Sequence, residues 1–234
     1  AGDPAAVCDQ LHELAEMGLL AESGAVAFTD GLKSVANAQV MRRALDYAAT
    51  FGFLIVQHAE EPSLAKGGMM NAGETATRMG LSGIPRQAEV IMVERDIRLV
   101  EMTGGAQHFA HLSTTEAIDA VRKAKAAGLP ITCDTAPPYF ALNELAVGDY
   151  RTFAKLSPPL RTEEDRQAVI AGLIDGTIDV IASDHLPEDE ESKTPILGDV
   201  PILGNLFKSI SKRQEKKELV ILIKPTVVMP DTWK

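Results

Sequence analysis

The chain has 234 residues, of which 45% are hydrophobic, enough for one large domain or two small ones with a buried core. Its formal net charge of −10 argues against nucleic acid as a partner, and no window is apolar over the roughly 18 residues a membrane helix needs. Cys8 and Cys133 form no C-x-x-C pair, and Ala1-Gly-Asp-Pro4 lacks the basic and apolar regions of a signal peptide, so a reduced cytoplasmic protein is expected.

Strand and helix patterns alternate along the body. His12 falls in a polar amphipathic helix with Leu11, Leu14 and Leu19 on its other side, a surface position. Gly24 to Thr29 reads as a strand closed by Asp30. Val40, Met41, Ala44, Leu45 and Ala48 recur at helical spacing up to Gly52, and Phe53 to Gln57 is a second strand, closed by His58. Pro85 opens a helix carrying Val90, Val93, Ile97 and Val100, stopped by Gly104-Gly105. Gln107 to Ala110 is a strand closed by His111. It leads into Ser113-Thr-Thr-Glu116, a capping box for a helix lined by Ile118, Val121 and Ala124 and ended by Gly128-Leu-Pro130. Ile131-Thr-Cys133 is a further short strand. Thr162-Glu-Glu-Asp165 caps a helix bearing Val169, Ile170, Leu173 and Ile174, and Ile178 to Ser183 is a strand closed by Asp184.

Asp30, His58, His111 and Asp184 thus each sit at the carboxyl tip of an apolar run. That is the layout of an α/β barrel, where chemistry gathers at the carboxyl ends of parallel strands. Histidines and carboxylates from several strand ends suit zinc and a metal-activated water. Side chains alternate along a strand, so His111 is expected to share a face with Phe109 while His108 points away into a packing role. His185 is expected to face away from Asp184 for the same reason. Five strand–helix units are counted where a closed barrel needs eight. A partial (β/α)8 TIM-type barrel without its first strands is expected, the other units preceding Ala1.

Residues 1 to about 193 resemble a dihydroorotase of the amidohydrolase superfamily. The segments that carry the resemblance are Ala25-Val-Ala-Phe-Thr-Asp-Gly31, Ile55-Val-Gln-His-Ala-Glu60 and His111-Leu-Ser-Thr-Thr-Glu-Ala117, then Lys155-Leu-Ser-Pro-Pro-Leu-Arg161 and Asp175-Gly-Thr-Ile-Asp-Val-Ile-Ala-Ser-Asp-His185. The resemblance implies a metal-bearing barrel, with Zn2+ as cofactor, that interconverts N-carbamoyl-aspartate and dihydroorotate in pyrimidine synthesis. His58 and His111 would be metal ligands from the family's fifth and sixth strands, and Asp184 the eighth-strand aspartate that handles the proton of the attacking water. Asp30 and Asp184 are the acidic candidates for the metal, and Ser157 the candidate for substrate contact.

The departures are specific. The family's His-x-His pair and its substrate-gripping arginine would lie before Ala1. Many members read Phe-Thr-Asp-Asp-Gly where Asp30 is followed by Gly31. An asparagine before Pro-Pro-Leu-Arg is Ser157 here, and the last histidine of Asp-His-Ala-Pro-His is Glu188. Some relatives have shed catalysis and serve as structural partners of aspartate transcarbamoylase, a second reading.

Residues 194–234 differ in character. They hold seven basic and four acidic side chains, a net of +3 that leaves −13 on residues 1–193. Pro-Ile-Leu-Gly occurs at 195–198 and again at 201–204, followed by a basic stretch and the strand-like Glu218-Leu-Val-Ile-Leu-Ile-Lys-Pro-Thr-Val-Val228. This segment resembles the C-terminal part of bacterial secretins and implies a short hairpin-like tail. Taken alone it would place the chain in an outer-membrane ring. Two units are therefore expected, a barrel fragment over 1–193 and a secretin-like tail over 194–234.

Overall fold

The computed structural model describes residues 24–184. Cys8, His12, His185, Glu188 and the tail of 194–234, with the expectations attached to them, lie outside the described residues. Within them, strand β1 (Ala27–Thr29) is followed by helix α1 (Ala38–Phe51) and strand β2 (Leu54–His58). The start of α1 is fixed by Asn37, whose side chain accepts from the N–H groups of Gln39 and Val40. Its end is fixed by Gly52, which adopts φ 69° and donates to the Ala48 carbonyl.

Residues 59–84, for which the sequence predicts no element, form a small excursion. It contains α2 (Pro62–Ala65), β3 (Met70–Asn71), α3 (Glu74–Met79) and β4 (Gly83–Ile84), with β3 and β4 pairing in parallel as a separate sheet. Helix α4 (Gln87–Thr103), strand β5 (Ala106–Ala110), helix α5 (Thr115–Ala126) and strand β6 (Ile131–Thr135) then continue the main alternation. After β6 come α6 (Pro137–Ala141) and two 3-10 turns, then α7 (Glu163–Ile174) and β7 (Val180–Ile181).

The main sheet has the order β1-β2-β5-β6-β7 and is parallel throughout, with His58 opposite Ala110 and Asp134 opposite Val180. Its two faces differ. Ile55, Gln57, Gln107, Phe109, Ile131 and Cys133 point into the helical layer and are buried. Leu54, Val56, Ala106, His108, Ala110 and Thr132 alternate with them on the other face and stay half-exposed. The covered face packs on Met41, Leu45, Met92, Val93, Val100, Ile118, Val121 and Val169 in one continuous core. Each such side chain fully buried stabilises the fold by about 1.5–3 kcal/mol relative to exposure. Gly105 lets α1 come this close, since a Cβ there would lie 2.7 Å from the Leu45 carbonyl oxygen.

Several expectations are corrected in detail. The N-cap of α5 is Thr114, not Ser113, whose hydroxyl and N–H are taken by the buried Glu89 carboxylate. Glu116 does not close a capping box; it accepts from Arg86. Ile174 faces solvent at the end of α7, and β7 is a two-residue exposed strand, shorter than the apolar run from Ile178 suggests. Strand β6 runs two residues past Cys133, which brings Asp134 to the carboxyl edge. Among the described residues no helix is long and apolar enough to cross a membrane.

Candidate active site

The carboxyl ends of β2, β5, β6 and β7 bring one polar cluster together. Asp134, on β6, is its centre. One oxygen, Oδ1, accepts from the backbone N–H of His111 and lies 2.8 Å from its Nδ1; the other, Oδ2, lies 2.9 Å from His108 Nε2. His108 Nδ1 is 2.7 Å from Thr132 Oγ1, and His111 Nε2 is 3.4 Å from Asp184 Oδ1. Burial works against an ionised Asp134, but its contacts with His108 and His111 outweigh that and hold its pKa well below the usual carboxylate range. Burial likewise disfavours a charged His111, yet the hydrogen bond and charge of Asp134, with the charge of Asp184, leave its pKa raised.

The phase rule therefore fails at His111. His108 and His111 do not point to opposite sides; they converge on one carboxylate. The cause is local: His111 sits just past the strand with φ 59°, which turns its side chain back to the face that His108 occupies. Asp184 also has positive φ, at 45°, so two of the three non-glycine residues in that region among those described belong to this cluster. Backbone in the left-handed region costs a side-chain-bearing residue about 1–3 kcal/mol and persists where surrounding contacts fix it.

A second group starts from His58, which is buried at the tip of β2, its ring edge-on to His111 with centroids 6.4 Å apart. Ser157 donates its hydroxyl to Glu60 Oε2 at 2.9 Å, so its oxygen is left to accept from His58 Nε2 at 3.1 Å. His58 Nε2 also lies 3.8 Å from Glu60 Oε2, an ion-pair contact. Burial raises the Glu60 pKa, but His58 and the Ser157 hydroxyl outweigh it and leave the carboxyl below its ordinary value.

Beneath the cluster lies a buried ionic network. Glu89 accepts from the N–H and hydroxyl of both Ser113 and Thr114. Arg161 donates to Ser113 Oγ, Asn71 Oδ1 and the Ile84 carbonyl, and its Nη2 lies 3.9 Å from Glu89. It thereby ties the small sheet, the start of α5 and the Pro158–Arg161 loop into one support.

Of the predicted site residues, His58, His111, Asp184 and Ser157 lie at this edge. Asp30 does not join them: it is exposed past β1, where its carbonyl accepts from the Lys33 N–H. Sequence reasoning missed Asp134, Glu60 and Glu89. Asp134 carries the same signal as the others, an acidic residue at the tip of the apolar run from Ile131, but the run was ended at Cys133. Glu60 lies beyond its strand, and Glu89 is in the middle of a helix, where neither position marks a site.

The donor atoms suit a borderline metal such as zinc. With Nε2–H given to Ser157, the lone pair of His58 is on Nδ1, which is buried and has no hydrogen-bond partner among the described residues. With Nδ1 against Asp134, the remaining nitrogen of His111 is Nε2, on the side of Asp184. Among the described residues no three His, Cys, Asp or Glu side chains gather as a complete ligand set.

Comparison with known proteins agrees with this architecture. A family model described as dihydro-orotase-like matches residues 4–117, and one described as bacterial type II and III secretion system protein matches residues 154–229. The dihydroorotase of Desulforapulum autotrophicum is 52% identical over 180 residues, covering 77% of this chain and 42% of that protein. That of Geotalea daltonii is 44% identical over 225 residues, covering 94% and 53%. Over most of its length the chain is similar to dihydroorotases. It spans about half the length of the curated relatives it matches. Solved D-hydantoinases share the fold: the Thermus sp. structure has a TM-score of 0.65 at 24% identity, over 76% of this chain and 41% of its own. The Bacillus sp. AR9 structure has a TM-score of 0.66 at 23% identity, over 80% and 43%. The secretin match begins inside the described body, since α7 and β7 fall within it and β7 pairs with β6.

Proposed function

We propose that this dihydroorotase-like chain supplies part of the catalytic edge of a metal-dependent cyclic-amide hydrolase, one that interconverts dihydroorotate and N-carbamoyl-aspartate. The observation that carries the reading is the pair of imidazoles at adjacent strand ends: His58 Nδ1 has no hydrogen-bond partner among the described residues, and His111 Nε2 faces the Asp184 carboxylate at 3.4 Å. His58 Nδ1 and His111 Nε2 would hold the metal, with Asp184 beside them. Asp30 is left out because it is exposed, away from the cluster. A zinc ion held by these residues would supply a Lewis acid and lower the pKa of water toward neutrality. Asp184 takes the proton of the attacking water as the new C–O bond forms at the ring amide carbon. It returns that proton to the nitrogen as the C–N bond breaks. Ser157 orients His58 through its oxygen and Glu60 through its hydroxyl, so any substrate contact it makes competes with both.

Replacing the aligned 180-residue segment of the Desulforapulum autotrophicum protein with the matching residues of this chain tests the reading. The hybrid should bind zinc and turn over dihydroorotate. A hybrid that folds and binds zinc but shows no turnover overturns it. That outcome favours a non-catalytic partner of aspartate transcarbamoylase, a reading supported by Gly31 and Ser157, which differ from the family pattern.

A further inference from the structure

We infer that Asp134 is the positioning residue of this edge, a single carboxylate that fixes the ring orientation and the proton position of His108 and His111 together. An ionised carboxylate only accepts hydrogen bonds, so each ring nitrogen facing it carries a hydrogen. Oδ1 takes His111 Nδ1–H at 2.8 Å along with the His111 backbone N–H, and Oδ2 takes His108 Nε2–H at 2.9 Å. His108 Nδ1 then accepts from the Thr132 hydroxyl at 2.7 Å, which ties the outer ring to the same strand as Asp134. The backbone contact matters as much as the ring contact. It holds His111 in its positive-φ turn, so that Nε2 faces Asp184 rather than the helical layer. His108, two residues inside the strand end, is not a candidate ligand: both of its nitrogens are occupied. Its role is to fill the second oxygen of Asp134, which His111 holds only through Oδ1.

The consequence for a metal rests on the proposed function, but the ring arrangement does not. Two-bond 1H–15N correlation spectra of the full 234-residue chain, labelled with 15N-histidine, read the proton positions directly; single replacements assign the five histidines. At a pH above the imidazole range, the expected result is a proton on His111 Nδ1 and on His108 Nε2. Asp134→Ala should release both rings and make their N–H protons exchange faster with water. In Asp134→Asn the amide keeps one acceptor and presents a donor, so one of the two rings should switch its proton to the other nitrogen. An unprotonated His111 Nδ1 in the wild type overturns the inference, as do ring signals unchanged in Asp134→Ala. Should Asp134→Ala fail to fold, the wild-type and Asp134→Asn spectra still decide. Titration with zinc ion alone separates this inference from the functional reading. Zinc affinity should fall about 10–100-fold on losing the carboxylate behind a ligating imidazole. A wild-type chain that takes no zinc while both rings hold their stated protons supports the positioning role and leaves the metal reading to the segment-swapped hybrid.

Discussion

His111 and Asp184 face each other at 3.4 Å although their strands, β5 and β7, are not neighbours in the sheet. The strand between them, β6, contributes Asp134, which grips His111 from the other side. An imidazole held between two carboxylates is oriented along the line joining them. The left-handed turns at His111 and Asp184 make that alignment possible, because each turns its side chain over the end of the sheet.

Asp184 is assigned proton transfer, and this separates it from the histidines in experiment. In the segment-swapped hydrolase, Asp184→Asn should leave zinc bound while turnover falls about 10²–10⁴-fold, the range for one proton-transfer group. Stoichiometric zinc analysis alongside the rate of dihydroorotate hydrolysis checks both halves. Loss of zinc in step with the rate would instead make Asp184 chiefly a ligand.

Glu89 and Arg161 hold the floor of this edge. Glu89→Leu takes from the buried Arg161 guanidinium the carboxylate that most favours its charge and strips the start of α5 of four hydrogen bonds. Removing one member of a buried ion pair costs about 3–5 kcal/mol. Glu89→Gln keeps the shape and part of the bonding, so its loss should be smaller. Urea unfolding of the three proteins should rank wild type above Glu89→Gln above Glu89→Leu; a Glu89→Leu protein as stable as wild type refutes the network's role.

The parallel strands were legible because each is a short apolar run between helical patterns with glycine stops, as at Gly52 and Gly104. The edge they share followed from where the polar residues fell along those runs. Periodicity could not reach the side-chain directions there. A strand rule presumes extended backbone, and His111 leaves it one residue too early. Residues 59–84 were illegible for another reason. Their strands have two residues each and are held by tertiary contacts, Arg161 to Asn71 and Ile84 among them, rather than by any repeating apolar pattern.

Cys133 offers a chemical readout of the core. It is buried, its thiol donates to the Thr177 carbonyl at 3.3 Å, and burial, its largest influence, helps push its pKa up to about 12. The thiolate is the reactive form, so alkylation near neutral pH should require unfolding. In a Cys8→Ser background, iodoacetamide should label the native chain negligibly and the urea-unfolded chain fully. Fast labelling of the native protein would mean that β6 opens to solvent.

Asp165 gives the fold an acid-sensitive joint. Its side chain is buried at the start of α7. It accepts from the Thr115 N–H and hydroxyl at 2.9 Å, from Thr162 at 2.8 Å and from Arg86 at 2.5 Å, which joins the starts of α5 and α7. Burial raises its pKa, but the Thr115 and Thr162 bonds and the Arg86 charge outweigh that and leave it lowered. A carboxylate with a lowered folded-state pKa binds fewer protons folded than unfolded. Its contribution is therefore complete above the unfolded value of about 3.9 and is lost as pH falls through the lower folded value. Asp165→Asn should cost about 2–3 kcal/mol at pH 7, as expected for losing charge-assisted bonds at a buried site. The gap between wild type and variant should narrow steadily once the pH drops below about 4. Urea titrations of both proteins from pH 7 downward measure it. A gap that stays constant, or widens in acid, would show that Asp165 acts through shape rather than charge.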